Sequence, residues 1–280
     1  MRFAKYHGIG NDFIMIADPE DRLSLTEDQS RRLCDRRFGI GADGVIRVAP
    51  GRDGGDFFMD YANSDGSPGE MCGNGIRCLA LFVRDEGLTD ASELKVATRA
   101  GLKILRVDGP TVTVDMGAPI FDPDSIPVRW DGDDALHAKI ELDTDVFEAT
   151  CLSMGNPHAV IFVDEPNSVP VAEIGPAIEH HPMFPNLTNV EFAKVETPDL
   201  IRMRVWERGS GETLACGTGA AAVAVASRLV GGASDGSTVV LPGGELELEW
   251  AGSLGHERPV LMTGPAVKSF EGDVDLETLG

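Results

Sequence analysis

The amino-acid sequence predicts an α+β fold. Two pseudo-symmetric, β-rich lobes are expected, each wrapped around a central helix, with the functional site in the cleft between them. Three observations predict this. A glycine-flanked cysteine opens an apolar helix twice, at Cys72-Gly73-Asn74-Gly75 and at Cys216-Gly217-Thr218-Gly219. Short strand-like runs separated by glycine turns surround both helices. The flanking motifs recur in the same order about 145 residues apart, as in a duplicated domain.

The repeat pairs Gly10-Asn11-Asp12-Phe13 with Gly155-Asn156-Pro157-His158, each before an apolar strand. Residues 57–63 and 201–207 are strands entering a cysteine loop, and residues 99–102 and 242–245 are turns before an alternating strand. Two copies are too few for a solenoid, so the pattern reads as two lobes. The N-terminal lobe is expected at 1–118, with 264–280 returning to it, and the C-terminal lobe at 119–263. A run of Gly117-Ala118-Pro119, Asp122-Pro123-Asp124 and Pro127 marks the boundary.

The first lobe opens with strands over 3–6 and 13–16, joined by a glycine turn. Residues 26–37 read as a helix, with Thr26 as N-cap and Glu27-Asp28 in the first turn. Gly39-Ile40-Gly41-Ala42-Asp43-Gly44 has G-x-G-x-x-G spacing, but a helix precedes it and a strand follows. A dinucleotide fingerprint needs the reverse order. Residues 56–61 form a strand leading to Cys72. Ile76, Leu79, Ala80 and Val83 then give one apolar helical face, and Gly87 can end that helix in the left-handed conformation. Strands follow over 93–98, 102–107 and 111–116, and strand signals resume at 138–142 and 146–152. The second apolar helix covers 220–230 and ends at Gly231-Gly232.

With 280 residues, the chain can bury two cores of ordinary size. Its formal charge of −22 argues against nucleic acid or an anionic membrane as partner. No signal-like apolar run opens the sequence, and the longest one, 220–230, is too short to span a bilayer. A cytoplasmic protein is expected. The five cysteines are odd in number, widely spaced and without C-x-x-C, which argues against a disulfide framework or a structural zinc site. Cys34, Cys78 and Cys151 read as core.

Cys72 and Cys216 differ because each stands at a helix start whose free backbone N–H groups can bind an anion and lower a nearby thiol's pKa. Facing each other across one carbon, a thiolate and a thiol can invert a stereocentre. The N–H groups of Gly73-Asn74 and Gly217-Thr218 would take the substrate's α-carboxylate. These motifs hold no lysine for a Schiff base and no metal-ligand cluster, so no cofactor is expected. Asn11, Asn63, Asn156 and Asn189 offer uncharged donors and acceptors for a zwitterionic amino acid. His158 and Glu207 can tune the thiols, and Arg208 can grip a carboxylate. His180-His181 reads as surface.

These motifs resemble those of the diaminopimelate epimerase family over essentially the whole chain. They are His7-Gly8-Ile9-Gly10-Asn11-Asp12-Phe13, residues 39–44, Asn63-Ser64-Asp65-Gly66, residues 72–77, Met154-Gly155-Asn156-Pro157-His158, Thr188-Asn189-Val190-Glu191-Phe192, Glu207-Arg208-Gly209 and residues 216–219. The resemblance implies cofactor-independent interconversion of LL- and meso-2,6-diaminopimelate, on the route to lysine and peptidoglycan. It implies Cys72 and Cys216 as the acid/base pair. Substrate would be contacted by Asn11, Asn63, Gly73, Asn74, Asn156, Asn189, Glu207, Arg208, Gly217 and Thr218, with His158 and Glu207 influencing thiol ionisation. It also implies a homodimer. Some members carry a substrate-contacting glutamine where this chain has Gly44. A proline- or hydroxyproline-type racemase of the same fold is the nearest alternative, and a non-catalytic small-molecule binding protein is another. Glu207, Arg208 and the asparagine set favour the longer substrate.

The charge balance generates a first prediction. Screening should relieve self-repulsion, so the thermal midpoint should rise as potassium chloride is added from low ionic strength. A flat or falling curve would leave only an ordinary solvated acidic surface.

Overall fold

The computed structural model describes residues 1–143 and 145–277. The chain divides into two compact units, Met1–Val114 with Thr263–Gly280, and Asp115–Met262. Of the tail expected to return to the first lobe, residues 278–280 lie outside the described residues.

The first unit runs β1 (Arg2–Gly8), β2 (Asn11–Ala17), α1 (Glu27–Cys34), β3 (Gly44–Pro50), β4 (Phe57–Asn63), α2 (Gly73–Asp85), β5 (Glu93–Thr98), β6 (Gly101–Asp108) and β7 (Thr111–Asp115). The second runs β8 (Ala138–Glu141), β9 (Val146–Ser153), β10 (Pro157–Phe162), α3 (Val171–Glu179), β11 (Asn189–Thr197), β12 (Leu200–Glu207), β13 (Gly211–Thr213), α4 (Gly217–Ala226), β14 (Gly236–Leu241) and β15 (Gly244–Glu249). The chain then passes through β16 (Leu261–Pro265) to β17 (Val267–Asp273), which pairs antiparallel with β1.

The duplication read from the sequence is a duplication of strand pairing. β2 and β3 are parallel, β3 and β4 antiparallel, β4 and β5 parallel, β5 and β6 antiparallel. In the second unit β10 and β11 are parallel, β11 and β12 antiparallel, β12 and β14 parallel, β14 and β15 antiparallel. Each parallel step demands a crossover. The crossovers from β4 to β5 and from β12 to β14 carry α2 and α4, the two cysteine-led helices.

Both central helices are buried. Every residue of α2 from Gly73 to Ala80 is buried, and α4 is apolar on all sides with only Thr218 part-exposed. A helix surrounded by sheet has no polar face to keep, which explains the Ala-Ala-Ala-Val-Ala-Val-Ala run. Close packing also fixes the last residue of each Cys-Gly-x-Gly turn. A Cβ on Gly75 would stand 2.7 Å from Ile46 Cδ1, and one on Gly219 would stand 2.9 Å from Glu191 Oε1.

Most predicted elements form close to their expected bounds. The 26–37 helix is shorter, ending at Cys34, with Thr26 and Gln29 forming a reciprocal capping box. Its last carbonyls are taken by the following loop: Ile40 and Gly41 donate to Leu33, and Ala42 donates to Cys34. The G-x-G-x-x-G spacing is that closing loop. A Cβ on Gly39 would stand 2.0 Å from the Arg32 carbonyl oxygen, and Gly41 has φ +81°. The 220–230 helix is α-helical only to Ala226. Its end relaxes into a π-helical turn over Ser227–Gly231, closed by left-handed Gly232.

Helix α3 was not expected from the sequence. Pro170 and Pro176 bracket and interrupt it, and such residues read as loop. Cys34, Cys78 and Cys151 are buried core residues, as expected. Burial pushes the Cys34 and Cys151 thiols up to about 12 and raises Cys78 further. No described helix is long and apolar enough to cross a membrane.

Candidate active site

In the first unit the β1–β2 turn brings Asn11 to the start of α2. Asn11 Oδ1 accepts from Asn74 Nδ2 at 3.1 Å and lies 3.6 Å from Cys72 Sγ. Cys72, half-buried, is the extended N-cap residue of α2. Asn11 Nδ2 donates to Asp43 Oδ2 at 2.8 Å, and the backbone N–H of Asp12 donates to the same oxygen at 3.1 Å. Asp43 in turn pairs with Arg36 at 2.6 Å. Arg36 and Lys5 both reach Asp12, each at 2.7 Å. Burial opposes ionisation of Asp12, but hydrogen bonds from Arg36 and Lys5 prevail and hold its carboxyl well below the usual range.

The closing loop of α1 therefore has a task. It presents Asp43 to orient Asn11, a role its G-x-G-x-x-G spacing did not reveal. Gly44 begins β3 directly after it. A Cβ there would lie 2.6 Å from the Tyr61 ring and 2.7 Å from the Ala62 carbonyl, so this site has no room for a longer residue. Asn63 ends β4, its amide held by Ser67 Oγ at 3.0 Å. It anchors the turn that precedes Cys72.

The second unit is built from the same parts with different charge. Cys216 is buried at the N-cap of α4, accepting from the Gly219 N–H at 3.3 Å and lying 3.5 Å from Thr218 Oγ1. Asn156 Nδ2 donates to Thr218 Oγ1 at 3.3 Å. His158 is fully buried between Asn156 Oδ1, 3.0 Å from Nε2, and Glu191 Oε1, 2.7 Å from Nδ1. Asn189 is buried and held by backbone: it donates to the Pro157 carbonyl at 2.8 Å and accepts from the Arg208 N–H at 3.0 Å. It thus ties β10 to the turn carrying Arg208. Arg208 is exposed and donates to the Asn186 carbonyl. Glu207 accepts from Thr213 Oγ1 and lies within hydrogen-bonding reach of the Cys216 thiol.

The helix-dipole expectation fails at Cys216. Its thiol is pushed well above the ordinary value, first by burial, then by the Glu207 and Glu191 carboxylates, against the weaker pull of Thr218 and the Gly219 N–H. A helix end contributes about half a charge; loss of water and two nearby carboxylates outweigh it. Glu207 is itself raised, chiefly by burial. Glu191 was part of a motif in the sequence but was not singled out as a site residue. A fully buried carboxylate beside a buried histidine depends on strand register, which brings His158 opposite Asn189 on the parallel neighbour. Among the described residues, no three His, Cys, Asp or Glu side chains gather as a metal ion would need.

Comparison with known proteins fits this geometry. A probable proline racemase from Agrobacterium radiobacter superposes with a TM-score of 0.72 at 16% identity, over 98% of this chain and 93% of that one. A PhzF-family phenazine biosynthesis protein from Bacillus anthracis gives 0.72 at 18%, over 98% and 99%. At such identities the likeness is one of fold, and it defines a two-domain α+β protein of the class these structures share. The family model for diaminopimelate epimerase matches residues 3–121 and 150–269. The diaminopimelate epimerase of Acetivibrio thermocellus is 48% identical over the full length of both chains, and that of Synechococcus elongatus is 49% identical over 99% of each. The chain belongs to the diaminopimelate epimerase family.

The raised Cys216 thiol makes a testable difference. Its alkylation by iodoacetamide, followed by peptide mapping, should stay slow through neutral pH and climb only in the alkaline range. Glu207→Gln removes one of the opposing carboxylates and should speed alkylation at pH 8 by about tenfold, equivalent to one unit of pKa. Equal rates in the two proteins would remove Glu207 from control of this thiol.

Proposed function

We propose that this protein interconverts LL- and meso-2,6-diaminopimelate without a cofactor, using Cys72 and Cys216 as its acid/base pair. The observation that carries this reading is the doubled Cys-Gly-x-Gly helix start, in a chain whose close relatives bear the epimerase name. One cysteine thiolate removes the Cα proton, and the other thiol delivers a proton to the opposite face. In the reverse reaction the two exchange roles. The α-carboxylate would rest on the N–H groups of Gly73-Asn74 and Gly217-Thr218, which take up charge as it spreads from the carbon.

The surroundings of Cys216 support a division of labour at rest. A thiol held high by burial and two carboxylates keeps its proton, so it serves as the acid when Cys72 is the base. Glu207 and Thr218 set that ionisation, and the His158–Glu191 pair lies behind them. Asn11, Asn63, Asn156, Asn189 and Arg208 would complete the substrate contacts. The reading extends to a homodimer working in the cytoplasm on a small-molecule substrate, with no nucleic-acid or membrane partner; sedimentation would give the assembly state.

Turnover in deuterated water tests the chemistry. Inverted product should carry deuterium at one α-carbon, and either Cys72→Ala or Cys216→Ala should reduce inversion by at least about a hundredfold, the usual worth of a positioned acid or base. Product free of solvent label would contradict the mechanism, as would full activity in either variant.

A further inference from the structure

Arg77 lies five residues beyond Cys72, inside the second turn of α2, with no exposed surface. Its guanidinium reaches back under the turn that opens the helix. Nη2 donates to Asn74 Oδ1 at 2.8 Å, Nη1 to the Gly73 carbonyl at 3.2 Å and Nε to the Pro265 carbonyl at 3.4 Å. β1 closes over it: a Cβ on Gly8 would stand 3.0 Å from Nη2.

This arrangement fixes the direction of a hydrogen-bond chain. A guanidinium only donates, so Asn74 must turn its oxygen to Arg77 and its nitrogen to Asn11. A carboxylate only accepts, so Asn11 must turn its nitrogen to Asp43 and its oxygen to Asn74 and Cys72. Arg77 at one end and Asp43 at the other leave neither amide free to flip. The unit holding Cys216 has no such cation at the matching place. There the fifth residue after the cysteine is Ala221, and carboxylates surround the thiol instead.

We propose that Arg77 is a positioning residue of the Cys72 half-site: it locks the first turn of α2 and supplies a buried positive charge beneath it, favouring an anion at Cys72. The anions concerned are the Cys72 thiolate and the substrate's carboxylate, so the inference rests on the two-thiol reading above. Burial weakens the guanidinium's hold on its charge, which a thiolate at Cys72 would strengthen. Lys5, Arg36, Asp12 and Asp43 meet partners of their own. Lys5 and Arg36 pair with Asp12, Arg36 also with Asp43, and Tyr6 donates to Asp85.

Two alkylating reagents separate charge from shape. Iodoacetate is an anion and iodoacetamide is neutral, and peptide mapping reports the rate of each at Cys72 in the full-length protein. The ratio of the two rates, set against the same ratio for glutathione, reads the local potential without any turnover. In the wild-type protein the relative ratio should exceed one, although the chain as a whole carries −22. Arg77→Gln keeps a donor for Asn74 but loses the charge, and the ratio should fall about tenfold, as expected for a unit charge several ångströms away at intermediate dielectric. Arg77→Lys keeps the charge but loses the fork; the ratio should stay within about twofold while kcat falls. A wild-type ratio at or below that of glutathione overturns the proposal even if neither variant folds, and an unchanged ratio in Arg77→Gln does the same. Failure of the two-thiol reading would appear separately, as full turnover in Cys72→Ala.

Discussion

The structure depends on one constraint: a helix buried in sheet must begin where its free N–H groups can still be used. The first N–H groups of a helix have no partner within it. Leaving them buried and unmet is costly. α2 and α4 both begin inside the protein, at Cys72 and Cys216, with glycine on either side of the second helical residue. Small residues there keep the turn open, and Gly75 and Gly219 let the helix settle against Ile46, Met59 and Glu191. The open first turn and the packing of each unit are thus the same feature. Each cysteine lies at the N-cap because a residue in that place is extended, and its side chain stands beside the free N–H groups.

The repeated scaffolds then diverge through charge. Around Cys72 stand asparagines whose directions are set by Arg77 and Asp43, and a buried cation lies under the turn. Around Cys216 stand Glu207, Glu191 and a histidine. Acid/base exchange between two faces of one carbon needs one partner deprotonated and one protonated at the same moment. Symmetric surroundings would give both thiols the same ionisation. In the proposed two-thiol chemistry, the different residues beside the two cysteines would supply the asymmetry that symmetric folding withholds.

Much of the fold was legible because the duplication left paired marks. Cys-Gly-x-Gly, Gly-Asn and the turn-then-strand pattern repeat in order, and the apolar periods of α2 and the strands agree with them. α3 was not legible, since Pro176 and Gly175 deny it a helical signature. Gly175 is there because Trp206 fills the space beside it, with a Cβ only 2.6 Å from the indole. At the site, residue types were readable but their neighbours were not. The role of Asp43 depends on a loop folding back over α1, and that of Glu191 on the register of two parallel strands. The raised Cys216 thiol illustrates the limit best. A helix start is a sequence feature, whereas burial and the approach of Glu207 are products of the tertiary fold.

Under the proposed chemistry each cysteine would serve one face of the reacting carbon. Exchange without inversion tests it directly. With Cys216 replaced by alanine, Cys72 should still remove and return a proton on its own face. That variant should wash solvent deuterium into the α-position of only one of the two diaminopimelate isomers. Cys72→Ala should label only the other. Complementary labelling of this kind is what two facing thiols predict. If both variants label the same isomer, or if either inverts substrate at the wild-type rate, the account is wrong.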